Sequence, residues 1–415
     1  MKKMILSLAA APLMLSTMAV SAQAADGFNL VDDIKLSGEI RPRYENADVI
    51  DNNVDAGQAF TTRTKLNASA KLFGIDGLNA NLGLISVNNF GWNDYNSKSA
   101  SYNPGAGKYD VIVDPQYAML SNAEVTYTMG KTLLHAGRGQ VNLDNQRFIG
   151  TVGWRQLERS YDTVFVADNS IENLSLLAAW VYGFQGVVAA PTAETSSVLL
   201  HAAYKVADPL TVTVYDYMLA SIHDTYGIAL TGKVNLDAVK LNYRAEYAMQ
   251  ADPSLEYRVK DVKADADYYN IDLGANISGI LAGVNYEVLS GTNGSDGKTA
   301  FTTPLATGHK FNGWADKFLA TPAGGLQDMN FRLGYKAKGF GKLLGVYHSF
   351  TADEKMGGED DLGSEIDAVY VNAVPGVKGL KGMLKYASYS KGEVAGFTKD
   401  VQKFWVMLDY KFATK

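Results

Sequence analysis

The 415-residue sequence contains no cysteine. That absence excludes disulfide frameworks, Cys-based zinc sites, thiolate nucleophiles and iron–sulfur clusters. Beyond the first two dozen residues it also lacks any apolar run near the roughly 18 residues that a spanning helix needs, so a bundle of transmembrane helices is excluded. Histidine is scarce: His135, His201, His223, His309 and His348 are the whole supply. No excess of positive charge is present either. The formal net charge is -6, which argues against a general affinity for nucleic acid. Hydrophobic residues make up 47% of the chain and charged residues 20%, an ordinary balance for a folded protein rather than a disordered one.

The amino terminus carries an address. Lys2 and Lys3 form a positive start, Met4 to Val20 an apolar core, and Ala22-Gln23-Ala24 a small-residue cleavage site. The pattern is that of a secretory signal peptide over residues 1–24. Without a cysteine at the cleavage site the product is no lipoprotein. An exported chain of this size suits a periplasmic protein or an outer-membrane barrel.

Beyond Phe28 the chain repeats one pattern to its end. Stretches of about ten residues alternate apolar and polar at period two, as in a membrane β-barrel with one face toward lipid and one toward water. In the first stretch Ile34, Leu36, Ile40 and Tyr44 share a face opposite Lys35, Ser37, Glu39, Arg41, Arg43 and Glu45. In the second, Phe60, Leu66, Ala68, Ala70 and Leu72 oppose Thr61, Arg63, Lys65, Asn67, Ser69 and Lys71. Alternation alone also fits a soluble sandwich; the connections decide. Short turns at 73–78, 130–131, 168–172, 207–209, 234–237, 278–279, 338–341 and 374–378 alternate with longer connections at 46–58, 89–117, 140–159, 184–196, 249–264, 290–326, 351–362 and 390–400, and a shorter one near 221–224. One rim is trimmed and the other elaborated, as in outer-membrane barrels whose trimmed rim is periplasmic. Seventeen connections make an all-β, transmembrane antiparallel barrel of 18 strands over residues 25–415, with 16 as the alternative count.

The aromatics agree. Tyr44, Tyr127, Tyr182, Tyr204, Tyr247, Tyr335, Tyr347 and Trp180 are expected near strand ends, where amphipathic rings favour the headgroup level. Phe404, Val406, Leu408, Tyr410 and Phe412 form a lipid-facing row in the last strand, which must pair with the first because unpaired backbone groups in hydrocarbon cost several kcal/mol each. Such barrels usually end on the aromatic residue that the barrel-assembly machinery reads; here Ala413, Thr414 and Lys415 follow Phe412.

A barrel of this width leaves a channel unless loops fold into it. Its expected inward positions are rich in base: Arg41, Arg43, Arg63, Lys65 and Lys71 early, then Lys240, Arg244, Arg332 and Lys336. Arginine and lysine ladders in a pore favour anions, and the guanidinium grips carboxylate or phosphate in two places. Glu39 and Glu45 stand among them, so cross-strand pairing is the competing use of these arginines. Base outnumbers acid on the first two strands, so some charge is expected to remain uncompensated. The connection 140–159 is the most distinctive, carrying Arg147, Arg155 and Arg159 just after Arg138, together with Asp144, Asn145, Gln146 and Trp154. It is expected to fold into the lumen, structured by Asp144, Asn145, Gln146 and Trp154, and to present its arginines to a permeating solute. Packing against the inner wall, with arginines paired to Asp144, Glu158 and Asp162, is compatible with that role.

The run GRGQVNLDNQRFIGTVGWRQ, from Gly137 to Gln156, resembles the signature segment of the alginate-export-type family of outer-membrane channels. Arg138, Asp144, Gln146, Arg147, Trp154 and Arg155 match that motif, and Gly139 departs from it where the family carries Gln. The LSGEIRPRYE opening, from Leu36 to Glu45, is similar as well. The resemblance implies a monomeric barrel with a basic constriction that passes anionic or polar solutes, alginate-like acidic oligosaccharides among them. No cofactor, metal or nucleic-acid partner is expected, and outer-membrane lipid and lipopolysaccharide are the expected surroundings. A hydrolase would need a nucleophile and a base on neighbouring inward positions. His223 and Asp224 are adjacent and so point to opposite faces, and no Ser-centred motif accompanies them. The acidic residues Asp353, Glu354, Glu359, Asp360 and Asp361 match no EF-hand spacing and read as a solvated loop.

Overall fold

The computed structural model describes residues 30–259, 262–292 and 298–414. The signal-peptide segment 1–24 lies outside the described residues. Those described are organised by one antiparallel sheet closed on itself. Its strands are β1 (Val31–Val49), β2 (Gly57–Leu72), β3 (Leu78–Asn88), β4 (Tyr117–Met129), β5 (Thr132–Gly139), β6 (Ser160–Asp168), β7 (Leu174–Gln185), β8 (Ala193–Ala207) and β9 (Leu210–Leu219). The circuit continues through β10 (His223–Leu236), β11 (Val239–Ala251), β12 (Asp265–Ile277), β13 (Ile280–Leu289), β14 (Leu326–Ala337), β15 (Gly341–Met356), β16 (Glu359–Ala373), β17 (Leu380–Ser390) and β18 (Val401–Ala413). Each strand pairs with its sequence neighbours, and β18 returns to β1 in register from Ser37 opposite Ala413 to Val49 opposite Val401. The expected 18 strands, and not 16, form the ring.

Thr414 carries the seam past Phe412. Its amide donates to the Leu36 carbonyl at 2.8 Å, and the Leu36 amide donates to its hydroxyl at 3.0 Å. The seam is thereby extended beyond the last aromatic residue.

All eight short turns fall where period-two alternation breaks, and eight of the nine longer connections hold with trimmed margins. The exception is 351–362, expected as a loop, where β15 and β16 instead run on into a hairpin closed by Gly357 and Gly358. Both glycines have positive φ, 67° and 98°, as a two-residue type I′ turn requires. Two adjacent glycines therefore turn an acidic segment back on itself within two residues, with Met356 paired to Glu359 beside the turn and the register shifting between Thr351 and Met356.

The outer face is apolar, with Ile228, Ile271, Leu273, Phe331, Leu333, Ile366 and Leu384 exposed around it. The row Phe404, Val406, Leu408, Tyr410 and Phe412 faces outward as the alternation requires. Aromatic rings gather at two levels. Tyr335, Phe340 and Tyr370 meet at the short-turn end, and Tyr44, Phe60 and Trp92 or Trp180 and Tyr182 at the loop end. Tyr347 departs from the expectation: it stands opposite Phe331, about halfway along β14, because β15 extends well past the belt.

The buried apolar side chains point inside the ring, some from the wall strands and some from the connections. Phe148 packs on Tyr215, Tyr268 and Phe301 at centroid distances of 5.5, 5.3 and 5.9 Å, and Phe318 on Phe350 and Phe397 at 4.4 and 5.3 Å. Phe148, Phe301 and Phe318 all come from connections, so the core is made where loops meet the inner wall.

Leu333 tests the outer face. It is 67% exposed and lies between the two aromatic levels. Replacing it with Arg should cost roughly 2–4 kcal/mol, the usual cost of an arginine near the bilayer midplane, measured by denaturant titration of folding into vesicles. An unchanged midpoint would show that this face does not meet lipid.

Candidate functional site

Two connections fill the middle of the ring. One is residues 140–159, here L3. The other is residues 290–325, here L7, which the alternation pattern marks only as a long connection. They are laced together. The Gly150 amide donates to the Leu305 carbonyl at 2.9 Å, the Thr307 amide to the Gln146 carbonyl at 3.0 Å, and the Thr307 hydroxyl to Gln146 Oε1 at 2.9 Å. Gln156 fixes L3 to the wall by donating to the carbonyls of Arg41 and Thr61 at 3.1 and 3.2 Å. L7 is fixed to β13, β14 and β16. The amides of Trp314 and Ala315 donate to Asp367 and Glu365 at 3.2 and 2.7 Å, and Asn312 donates to Glu287 and Asp328 at 2.6 and 3.1 Å. Backbone at Asp144, Gln146 and Val152 in L3 and at Asn312 and Asp316 in L7 takes positive φ, which these contacts hold in place.

The inward arginines occupy this framework as ion-pair partners. Arg41 meets Glu39 at 2.9 Å and donates to the Gly153 carbonyl at 2.9 Å. Arg43 is fully buried, pairs with Asp114 and Glu45, and donates to the Trp154 carbonyl at 2.8 Å. Arg63 bridges Glu39 and Glu158 at 2.6 and 2.7 Å, and Lys65 meets Glu158 at 2.8 Å. In L3, Arg147 grips Glu287 through two bonds of 2.8 and 3.1 Å, and Arg155 spans Glu45 and Asp316 at 3.0 and 2.7 Å. Arg138 lies apart, on Asp162 with two bonds of 2.7 Å, where it also reaches Gln185 and Thr192. Arg244 pairs with Glu246 at 2.7 Å and Arg332 with Asp272 at 2.6 Å.

The surplus of base anticipated on β1 and β2 is therefore met by acids supplied from elsewhere: Asp114, Glu158 and Asp409. These lie far along the chain, and only closure of the ring and folding of the loops bring them in. Arg159 is the exception. Its guanidinium donates to the carbonyls of Gly150, Ala306 and Pro304 at 3.2, 3.3 and 3.1 Å and meets no carboxylate among the described residues.

The other L3 residues hold shape. Asp144 accepts from His201 at 3.1 Å, Asn145 accepts the Arg147 amide at 3.1 Å, and Gln146 receives Thr307 of L7. Trp154 stacks flat on His309 at 4.6 Å, edge-on to Trp405 at 5.7 Å. Lys385 lies over the rings of Trp154 and Trp314 at 4.0 and 3.9 Å and donates to His309 Nε2 at 2.6 Å. Gly139, the departure from the family motif, leaves room for the Glu124 carboxylate, which also meets His135 at 2.8 Å.

Glu287, Lys310, Asn312, Asp316 and Lys385 belong to this assembly, and period-two reading does not find them. A signal for L7 was present. The run from His309 to Phe318 mixes aromatics with Asn312, Trp314 and Asp316, the same blend of rings and hydrogen-bonding groups that marks L3.

Beneath the loops the wall of β11 to β15 opens into a cavity of about 340 Å³. Registered rows build its floor. Arg244, Asp272, Asn285, Asn330 and His348 lie directly opposite one another on successive strands, and Asn242, Gly274, Gly283, Arg332 and Val346 form the next row. Two neighbouring glycines leave a depression. A Cβ at Gly283 would come within 2.8 Å of the Arg332 guanidinium, and one at Gly274 within 2.6 Å of the Asn242 amide. Lys310, Asn312 and Trp314 of L7 close the other side with Asn145 of L3. Lys310 donates to the Asn145 carbonyl at 2.8 Å and, like Arg159, has no carboxylate partner among the described residues.

Burial pushes His309 down to about 3, with Lys385 and Arg155 adding to the depression against Asp316. The imidazole is accordingly neutral, accepting from Lys385 at Nε2 and donating from Nδ1 to Asp316 at 2.5 Å. Burial alone would raise Asp316, but His309, Lys403 and Arg155 hold it well below the usual carboxylate range.

The fold has solved counterparts. OpdO of Pseudomonas aeruginosa is 15% identical with a TM-score of 0.71, over 93% of this chain and 99% of that one. OccAB4 of Acinetobacter baumannii is 14% identical with a TM-score of 0.72, over 92% and 99%, and OccK5 (OpdH) of Pseudomonas aeruginosa 13% identical with a TM-score of 0.69, over 93% and 99%. The similarity extends over nearly all of each chain and shows the shared barrel fold. No family model matches the sequence, and no curated protein matches it.

A neutral buried histidine makes the loop lock sensitive to acid. A released His309 regains its ordinary affinity for a proton, so docking is strongest above pH 6.5 and weakens as pH falls toward 3. Undocking should rise by up to roughly tenfold per pH unit below 6, read as more frequent conductance fluctuations in planar bilayers. His309→Gln should flatten that dependence; a variant with the wild-type profile would remove His309 as its source.

Proposed function

We propose that the protein is a passive outer-membrane channel for small polar solutes with a preference for anions. The observation that carries this reading is the location of the uncompensated positive charge. Arg159 and Lys310 stand where L3 and L7 narrow the ring, and neither meets a carboxylate among the described residues. Further down the same wall Lys240, Lys336 and Lys342 point inward, Lys336 directly opposite Lys342, and no carboxylate pairs with them among the described residues. An anion leaving Lys310 thus meets the cavity with Arg244 and Arg332 and then a lysine-lined mouth. The paired arginines build the constriction, and the unpaired cations set its sign.

The shape of the molecule supports the rest. An apolar belt with aromatic levels suits a lipid bilayer, and a closed ring has no edge through which a copy must pair, which suits a channel formed by one chain. Residues 1–24 direct export, the terminal strand presents Phe412 to the assembly machinery, and the long-loop rim faces lipopolysaccharide. The narrower reading is transport of an acidic oligosaccharide such as alginate. The Gly137–Gln156 run, which resembles the alginate-export-type segment, speaks for it, and its Gly153 and Trp154 carbonyls accept from Arg41 and Arg43 of the inner wall.

Replacing Arg159 and Lys310 together with Gln should lower the chloride-to-potassium permeability ratio by up to about fivefold, the local enrichment that about 1 kcal/mol of Coulomb energy supports. The wild-type preference should itself weaken from 0.1 to 1 M salt, as the screening length falls from about 10 to about 3 Å. Reversal potentials in planar bilayers give both, and an unmoved reversal potential in the double variant would reject the assignment. Oligouronate that blocks chloride current far better than its monomer would favour the oligosaccharide reading.

A further inference from the structure

The cavity under L7 is built for more than negative charge. Chloride or a short fatty acid needs donors only, yet this wall is lined with amides, each of which both donates and accepts. Asn330 is 7% exposed and its side chain finds no hydrogen-bond partner among the described residues, and Asn242 lies over Gly274 with none either. Asn285 accepts from Asn270 at 2.8 Å and keeps its own donors for the cavity. An aliphatic chain in this space would leave these groups without partners, a penalty that a ligand hydroxyl removes.

The charges limit the ligand further. Arg244 and Arg332 are each committed to a carboxylate, which leaves Lys310 as the available cation of the lining. A second negative group on the ligand would approach Asp272, Glu287 and Asp328, all of which line the same cavity. Trp314 and Phe311 add flat apolar surface on the loop side, suited to the carbon face of a hydroxylated chain or ring.

We propose that this cavity is a binding subsite for a polyhydroxylated monocarboxylate of about one sugar unit, its carboxylate on Lys310 and its hydroxyls on Asn242, Asn285 and Asn330. The proposal rests on the anion-channel reading and adds recognition to it. The volume of about 340 Å³ sits at the lower end of small-molecule sites, which suits a single unit and not a polymer held along its length.

Block of chloride current by added solute tests it, using the full mature chain in planar bilayers. D-gluconate should block at about tenfold lower concentration than hexanoate, which has the same carbon count and charge but no hydroxyls, a difference equal to one or two net hydrogen bonds. Neutral D-sorbitol should block far less than gluconate, since it offers Lys310 nothing. Asn330→Leu combined with Asn242→Leu should bring the gluconate-to-hexanoate ratio close to one. Asn285→Ala, a milder change, should reduce it in part and serves where the double variant does not insert. Equal block by gluconate and hexanoate in the wild type, or a ratio that survives in the variants, would overturn the subsite while leaving anion selectivity intact. A reversal potential showing no anion preference would instead remove the channel reading beneath it.

Discussion

No backbone group can be left unpaired in hydrocarbon, and that constraint sets everything else in this molecule. It obliges β18 to return to β1, and the Thr414 bonds to Leu36 complete the seam after the last aromatic residue. Once the ring is closed, alternation has only two destinations, lipid outside and an enclosed polar space inside. The polar space then poses its own problem, because eighteen strands enclose more volume than their inward side chains fill. L3 and L7 occupy the centre, and their arrival turns water-exposed arginines into buried ones.

Burying an ion without a partner costs several kcal/mol, so the loops cannot enter unless charges are matched. The matching is long-range and dense. Arg155 of L3 joins Glu45 of β1 to Asp316 of L7, and Arg147 ties L3 to Glu287 of β13. Trp154, His309 and Lys385 stack into the same assembly. Each of these arginines is oriented by two or more acceptors. In the proposed channel the electrostatic character of the passage is left to the few cations that the matching did not consume, Arg159 and Lys310 among them.

This division reverses a natural reading of arginine-rich barrel walls. Arg41, Arg43 and Arg63 attract attention as anion ligands because they lie on one face of adjacent strands. Their side chains are 8%, 0% and 2% exposed, which makes them framework. The row of amides under L7 attracts none in the sequence, since Asn242, Asn270, Asn285 and Asn330 fall on four separate strands with nothing nearby to connect them. In the ring they become neighbours.

Period-two alternation is a local property, and so the sequence by itself determined the strands, their inward and outward faces, the alternation of short turns and long loops, and the strand number. The one loop it misplaced, 351–362, was misjudged because acidic composition outweighed the two glycines that let a hairpin continue. The motif in L3 was visible for the same local reason. Tertiary structure alone decided which carboxylate each arginine meets, that L7 enters the lumen beside L3, and that four distant asparagines line one cavity with Lys310. Those facts depend on ring closure and on strand register, which set residues hundreds of positions apart within a few ångströms, and no pattern within ten residues encodes such distances.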